Sequence, residues 1–394
     1  MIWSIWKRKR CPLPQPEGPY IPGCVDVMTA YSPEGCFFRL FYPSSLENTV
    51  QDKWVPWMDH KAYGRGFALI LGVYYLILRL YVWLVSGTPY IPAVWAAPLS
   101  KRREKFPVIV FSHGLGACRF FYSSTYAELA SHGFIVAAVE HRDTSACATY
   151  YYATPQDHSH RKRTWIKHHK MGFGAENFPA RVKQVRQRGT ECSRALDLLE
   201  QLNAGHKINN LASEEFPLET LKGKLNFEKP IMMGHSFGGA SALLTLYKDQ
   251  RFKIGVILDS WMYTLKDEPD MPGSIKQPLV FINTETFHID SNIASMQKFL
   301  DSPQGAERHL HTIRMTTHEN QTDTVHVVGY WLDWFMKKID PMIASRINHA
   351  LILRFLERHV GQYYRNMRRQ CILFVCFDLI LNFLSHPAYP LFLL

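Results

Sequence analysis

The tightest limit on what this chain can fold into comes from five residues, Gly234-His-Ser-Phe-Gly238. They follow a strand-like stretch, Lys229-Pro-Ile-Met-Met, and precede a helical pattern from Ala240 to Tyr247. A serine set directly between strand and helix takes strained backbone angles. The residues two before and two after it must be nearly free of side chain for the two elements to approach. Glycine stands at both positions. Such a turn holds Ser236 out beyond the strand end, and it aims the Phe237 amide, at the start of the new helix, toward the same space. It also requires a sheet in which strands give way to helices.

From Pro107 onward the chain alternates in that way. Pro107-Val-Ile-Val-Phe is a continuous β-branched and aromatic run, as in a parallel strand buried on both faces. Tyr122 to His132 suits a helix closed by Gly133, Phe134 to Val139 a second buried strand, and Glu191 to Leu202 a further helix. Lys253 to Asp259 and Pro278 to Asn283 supply two more strands. Arg308 to Met315, where His and Arg alternate with apolar residues, reads as a half-exposed edge. Earlier, Asp26-Val-Met-Thr and Phe37 to Tyr42 flank the turn signal Ser-Pro-Glu-Gly at 32–35, as in an antiparallel hairpin at a sheet edge. The expected fold is α/β, of the α/β-hydrolase kind: a doubly wound, mostly parallel sheet with flanking helices. At 394 residues, one catalytic domain over 21–361 is expected, with a proline-rich extended arm at 1–20 and a hydrophobic tail at 362–394.

A serine hydroxyl becomes a strong nucleophile only with a base in reach, and in this fold the chain order is serine, acid, histidine. Asp259 ends the strand after the elbow, where strand C-termini open into the ligand crevice. Asp249, Asp267 and Asp270 sit in polar connections and read as solvated. His318 falls just after the last strand and before a helix starting near Thr324. His309 and His311 are explained by strand alternation, and His288 is the reserve base. Phe111-Ser-His-Gly-Leu-Gly116 follows the first buried strand; its glycines let the backbone fold so that the Leu115 amide faces the site beside that of Phe237.

The net charge of +11 would suit an anionic partner, but it sits in clusters without the stacking aromatics or finger spacings of nucleic-acid modules. No nucleic acid is expected, and a membrane surface is the better candidate. His158, His160, His168 and His169 are interleaved with Arg161, Lys162, Arg163, Lys167 and Lys170, which would repel a cation. They read as a solvated basic loop, and neither metal nor cofactor is expected. The eight scattered cysteines read as reduced thiols. Residues 66–85 form a nearly continuous apolar run interrupted by Arg79 and rich in Tyr and Trp. It is expected as one helix, partly buried and partly exposed, docking on a membrane through Leu76, Ile77 and Leu80. A wholly buried helix and a bilayer span are the alternatives. MIWSIW followed by KRKR lacks the order of a secretory leader, so a cytoplasmic, peripherally membrane-associated protein is expected, with a secreted form if the N-terminus is incomplete.

Several blocks resemble the platelet-activating factor acetylhydrolases: Phe111 to Ala117, Leu129-Ala-Ser-His-Gly-Phe to Asp143, Val185-Arg-Gln-Arg, Gly234 to Ala240, Leu258-Asp-Ser-Trp-Met262 and Pro278 to Asn283. The resemblance runs from about Gly18 to about Val360, and the blocks are long. It implies a nucleophile at Ser236, an acid at Asp259, a base at His318 and oxyanion amides at Leu115 and Phe237. It further implies hydrolysis, without calcium, of the short or oxidised sn-2 acyl ester of platelet-activating factor and related phospholipids. Membrane docking through two hydrophobic helices is implied too, here near 70–82 and 350–359. Ser260 and Thr317 depart from the family's usual alanine and valine. A general carboxylesterase or lipase is the nearest competing reading, and a non-catalytic membrane-associated scaffold the more distant one. The sequence leaves the oligomeric state open.

Overall fold

The apolar runs assemble into an eleven-stranded sheet with a two-stranded hairpin beside it. The computed structural model describes residues 11–49, 51–172, 174–302, 305–329 and 338–361, so the tail expected at 362–394 lies outside the described residues, as do the first ten. In chain order the strands are β1 (Cys11–Pro12), β2 (Pro22–Met28), β3 (Phe37–Pro43), β4 (Trp54–Pro56), β5 (Pro89–Trp95), β6 (Phe106–Ser112), β7 (Ile135–Val139), β8 (Ala148–Tyr151), β9 (Thr164–Lys167), β10 (Leu225–His235), β11 (Ile254–Leu258), β12 (Leu279–Thr284) and β13 (Arg308–Ile313). Across the large sheet the order is β1-β5-β2-β3-β7-β6-β10-β11-β12-β13, with β4 on β5.

From β7 to β13 every pairing is parallel. Alternate residues of β6 serve opposite faces: Ile109 and Phe111 join one apolar core, Val108 and Val110 the other. That two-sided burial explains the unbroken apolar runs of the central strands. The chain leaves β6 for β7 on one side and later enters β10 on the other. The C-terminal ends of β6 and β10 therefore flank a topological switch point, where a crevice opens above a doubly wound sheet.

β2 and β3 do form the expected antiparallel hairpin, with Asp26 opposite Arg39. It is not at the sheet edge, because β3 also pairs with β7 and β2 with β5. Its apolar residues are buried on both sides, which an edge strand does not require. The expected arm is held down: β1 pairs with β5, and the Tyr20 amide donates to the Ser131 carbonyl. The helix expected from Glu191 begins at Phe178 and runs to Ala204. Its first half reads as polar, yet Arg181, Gln184 and Arg188 are buried against the sheet. The basic histidine-containing loop is largely the β8–β9 hairpin, with Lys162, Lys167 and Lys170 exposed.

Two further expectations change. The run 66–85 is not one helix but two, α1 (Lys61–Leu71) and α2 (Tyr75–Ser86), bent by 102°. Gly72 causes the break: at φ 68° it closes α1 in the left-handed conformation that glycine adopts without strain. Among the described residues no single helix is long and apolar enough to cross a membrane. The second docking helix, 350–359, is the end of a longer one, Pro341–Val360, and it turns Ile352, Leu353, Phe355 and Leu356 into the core. Each such burial is worth about 1.5–3 kcal/mol, so these side chains do not swing out to meet lipid.

Candidate active site

Ser236 sits at φ 57° and ψ −119°, in the strained geometry the motif requires. The turn has no room for side chains. A Cβ on Gly234 would lie 2.2 Å from the Gly238 carbonyl oxygen, and one on Gly238 would lie 2.0 Å from that of Ser112. The Ser236 amide donates to the Leu258 carbonyl, which ties the elbow to β11. Phe237 opens the helix Phe237–Lys248, where the first amides have no partner within the helix itself.

Asp259 follows β11 and is fully buried. Its Oδ1 accepts from the Thr284 amide at 2.7 Å and its Oδ2 from the Thr284 hydroxyl at 2.7 Å. Oδ2 also pairs with His318 Nδ1 at 2.9 Å. Three partners on one carboxylate fix the plane in which it meets the imidazole. His318 is half-buried at the start of a single turn, His318–Gln321. The Thr286 hydroxyl accepts from its amide at 3.0 Å, and Phe287 stacks on its ring with centroids 4.3 Å apart. His288, the reserve base, bonds Thr312 on an exposed surface, away from Ser236. Ser236 and His318 line one cavity, and Asp259 holds His318 from behind.

On the opposite side lies the loop after β6. The Gly114 amide donates to the Tyr122 hydroxyl at 2.9 Å and the Gly116 amide to the Ser145 carbonyl at 2.8 Å, leaving the Leu115 amide between two that are committed. Sequence reasoning missed two side chains here. The Tyr122 hydroxyl accepts from the Gly114 amide and shares a hydrogen bond with His235 Nδ1, 2.8 Å away. Burial first, and then the neighbouring His318, hold His235 well below the usual imidazole range. The two imidazole rings lie with centroids 4.4 Å apart. His235, Asp259 and His318 present ring nitrogens and a carboxylate within 4.8 Å of one another; Tyr122 engages Nδ1 of His235, and Thr284 and His318 engage Asp259.

Ser236, His318 and Leu115 open on a cavity of about 340 Å³. Its far wall is apolar and belongs to the bent helix pair: Phe67, Ile70 and Leu71 from α1, Leu78 from α2. The outer faces of the same helices leave Leu76 at 72%, Ile77 at 57% and Leu80 at 56% exposure. Cys24, Cys36, Cys118, Cys147 and Cys192 are free thiols. Burial pushes Cys24 and Cys36 up to about 12, so neither offers a thiolate.

The family model described as platelet-activating factor acetylhydrolase, isoform II, matches residues 5–371. A platelet-activating factor acetylhydrolase of Bos taurus is 41% identical over 354 residues, covering 89% of this chain and 77% of its own. That of Gallus gallus is 38% identical over 360 residues, covering 89% and 84%. A putative phospholipase A2 of Schizosaccharomyces pombe is 25% identical over 386 residues, covering 82% and 83%. Among solved structures, a ferulic acid esterase from Streptomyces cinnamoneus superposes with a TM-score of 0.57 at 16% identity, covering 89% of this chain and 93% of its own, a likeness of fold.

Proposed function

Since the chain belongs to the platelet-activating factor acetylhydrolase isoform II family, we infer that it hydrolyses the sn-2 acetyl, or short or oxidised acyl, ester of platelet-activating factor and related phospholipids. The observation that carries this reading is Ser236 on its strained elbow in one cavity with His318, whose Nδ1 is held by buried Asp259. His318 takes the Ser236 proton on its other ring nitrogen as Oγ attacks the ester carbon. The carbonyl oxygen gains the negative charge, and the Leu115 and Phe237 amides stabilise it. His318 then protonates the departing glycerol oxygen, releasing the lysophospholipid. Water, deprotonated by His318, attacks the acyl-serine and frees the carboxylic acid. Asp259 keeps the imidazole in the correct tautomer and offsets its charge. No step calls for a metal, and equal rates in EDTA and in calcium are expected.

The lipid substrate is amphiphilic, and a peripheral membrane position, on the cytoplasmic side, suits it. Leu76, Ile77 and Leu80 stand on the outer faces of helices whose inner faces line the cavity, so a docked enzyme would receive substrate at the bilayer edge. Arg79, also exposed, can snorkel to the headgroups. Two assays test the whole reading. A fluorophosphonate probe should label the parent at Ser236 and leave Ser236→Ala unlabelled, and sn-2 acetyl phospholipid should be cleaved far faster than sn-2 oleoyl. No label at Ser236 would remove the mechanism; equal rates on both lipids would make the protein a general lipase.

A further inference from the structure

Arg188 lies in the middle of the helix Phe178–Ala204, fully buried, and touches neither the cavity nor the Ser236–His318–Asp259 relay. Its guanidinium is spent on the backbone around them. Nε donates to Asp143 Oδ2 at 2.7 Å, Nη2 to the Ser145 hydroxyl, and Nη1 to the carbonyl oxygen of His113. The Ser145 hydroxyl in turn bonds Asp143, and the Ser145 carbonyl accepts the Gly116 amide at 2.8 Å. One ion-paired hub thus fastens the loop on both sides of Leu115. The same guanidinium carbon stands 4.6 Å from the centroid of the Phe237 ring.

The consequence for the amides follows from peptide planarity. The His113–Gly114 peptide is held at its oxygen by Arg188 and at its N–H by Tyr122. The Gly114–Leu115 peptide comes next. Its oxygen accepts from His113 Nδ1 at 2.8 Å and from the Ala117 amide at 3.3 Å. The His141 amide donates to His113 Nε2, so the ring's proton belongs on Nδ1, pointing at that oxygen. In a trans peptide the N–H points opposite to the C=O, so fixing the Gly114 oxygen aims the Leu115 amide. Phe237, whose ring rests against Arg188, contributes the other amide.

We propose that Arg188 is a positioning residue for the hydrolysis: with Asp143 and Ser145 it sets the direction of both oxyanion amides, Leu115 through the His113 carbonyl and Phe237 through its ring. This rests on the serine-esterase reading above. An oxyanion donor acts only if aimed where the charge will form, and removing one costs about 10²–10³ in kcat. Misaiming two without removing either costs a large part of that. Arg188→Lys keeps the charge beside Asp143 but cannot span Asp143, Ser145 and His113 at once.

The test uses the full-length protein with a soluble acetyl ester and an alkyl trifluoromethyl ketone. Ser236 Oγ adds to the ketone carbon, its proton passes to His318, and the carbonyl oxygen becomes an oxyanion, so ketone affinity reports the aim of the amides. Arg188→Lys is expected to lower kcat about 10–100-fold with KM within about threefold, and to weaken the ketone by the same factor as kcat. Ser145→Ala, which removes one bond of the hub, should show a smaller parallel loss of about five- to tenfold in both. Parental kcat in folded Arg188→Lys overturns the proposal, as does a kcat loss with undiminished ketone affinity. If Arg188→Lys does not fold, Ser145→Ala decides on the same pair of numbers, and parental values for both overturn it. Labelling of the parent at Ser236 by a fluorophosphonate separates the two levels: without it the esterase reading fails and takes this one with it, whereas with it only the role of Arg188 is at stake.

Discussion

The cavity beside Ser236 has two unlike walls. One is made of strand ends and their turns, where the groups around the nucleophile are tied in place: Asp259 to Thr284 and His318, Gly114 to Tyr122, His113 to Arg188. The other is the inner face of α1 and α2, apolar within and apolar without, broken at Gly72. The first wall is over-determined, as a site that must hold charge to a fraction of an ångström needs to be. On the second, apolar contact sets shape and surface without direction. On the proposed reading, chemistry and lipid delivery belong to different elements and should fail separately.

The largest effect tests the first wall alone. Ser236→Ala should lower kcat on the order of 10⁶-fold, and Asp259→Asn by about 10⁴-fold through the wrong imidazole tautomer, with liposome binding unchanged in both. Steady-state assays on purified protein beside a liposome sedimentation assay check this; activity near parental in either variant would dissolve the proposed relay. A smaller effect belongs to the second wall. Replacing Ile77 and Leu80 together by Asp removes two side chains whose burial in lipid is worth about 1.5–3 kcal/mol each. Liposome affinity should fall at least about tenfold while cleavage of a soluble acetyl ester stays within about twofold. Should the ester rate fall in step with liposome binding, the two walls are one unit after all.

The walls also differ in how much of them could be read from sequence. The elbow was legible because its cause is local: glycines at 234 and 238, forced by the backbone itself, stand at fixed spacing from the serine. Asp259 and His318 followed from chain order and strand ends. The hub behind the oxyanion loop was not legible, since its bonds join residues 43, 45 and 75 positions apart and Arg188 lies ahead of the helix expected from Glu191. In the helix pair, hydropathy summed over 66–85 concealed the one glycine that bends it. At 350–359, the family resemblance implied a docking helix where the structure turns four side chains into the core.

Asp323 joins the two walls, and its expected effect is the smallest. It ends the turn that carries His318, and its carboxylate accepts from the Ser123 amide at 2.7 Å, from the Ser124 amide and hydroxyl, and from Trp57 Nε1 at 3.0 Å. The serines begin α3 (Ser123–Ser131), and Trp57 lies just ahead of α1. Burial pushes Asp323 up to about 7, against the pull of the hydrogen bonds from Ser124, Trp57 and Ser123. A carboxyl whose value is raised in the folded state holds its proton more tightly there than when unfolded. Its contribution to stability is therefore complete below the ordinary value of 3.8, declines as pH rises from there toward 7, and levels off above. Asp323→Asn cannot titrate. The Tm of the parent minus that of Asp323→Asn should accordingly be most positive near pH 4, shrink by a few degrees by pH 7 and then stay flat. Differential scanning calorimetry of both proteins across that range checks it. A difference that grows with pH would mean that the four donors outweigh burial and that Asp323 clamps the histidine turn as an anion.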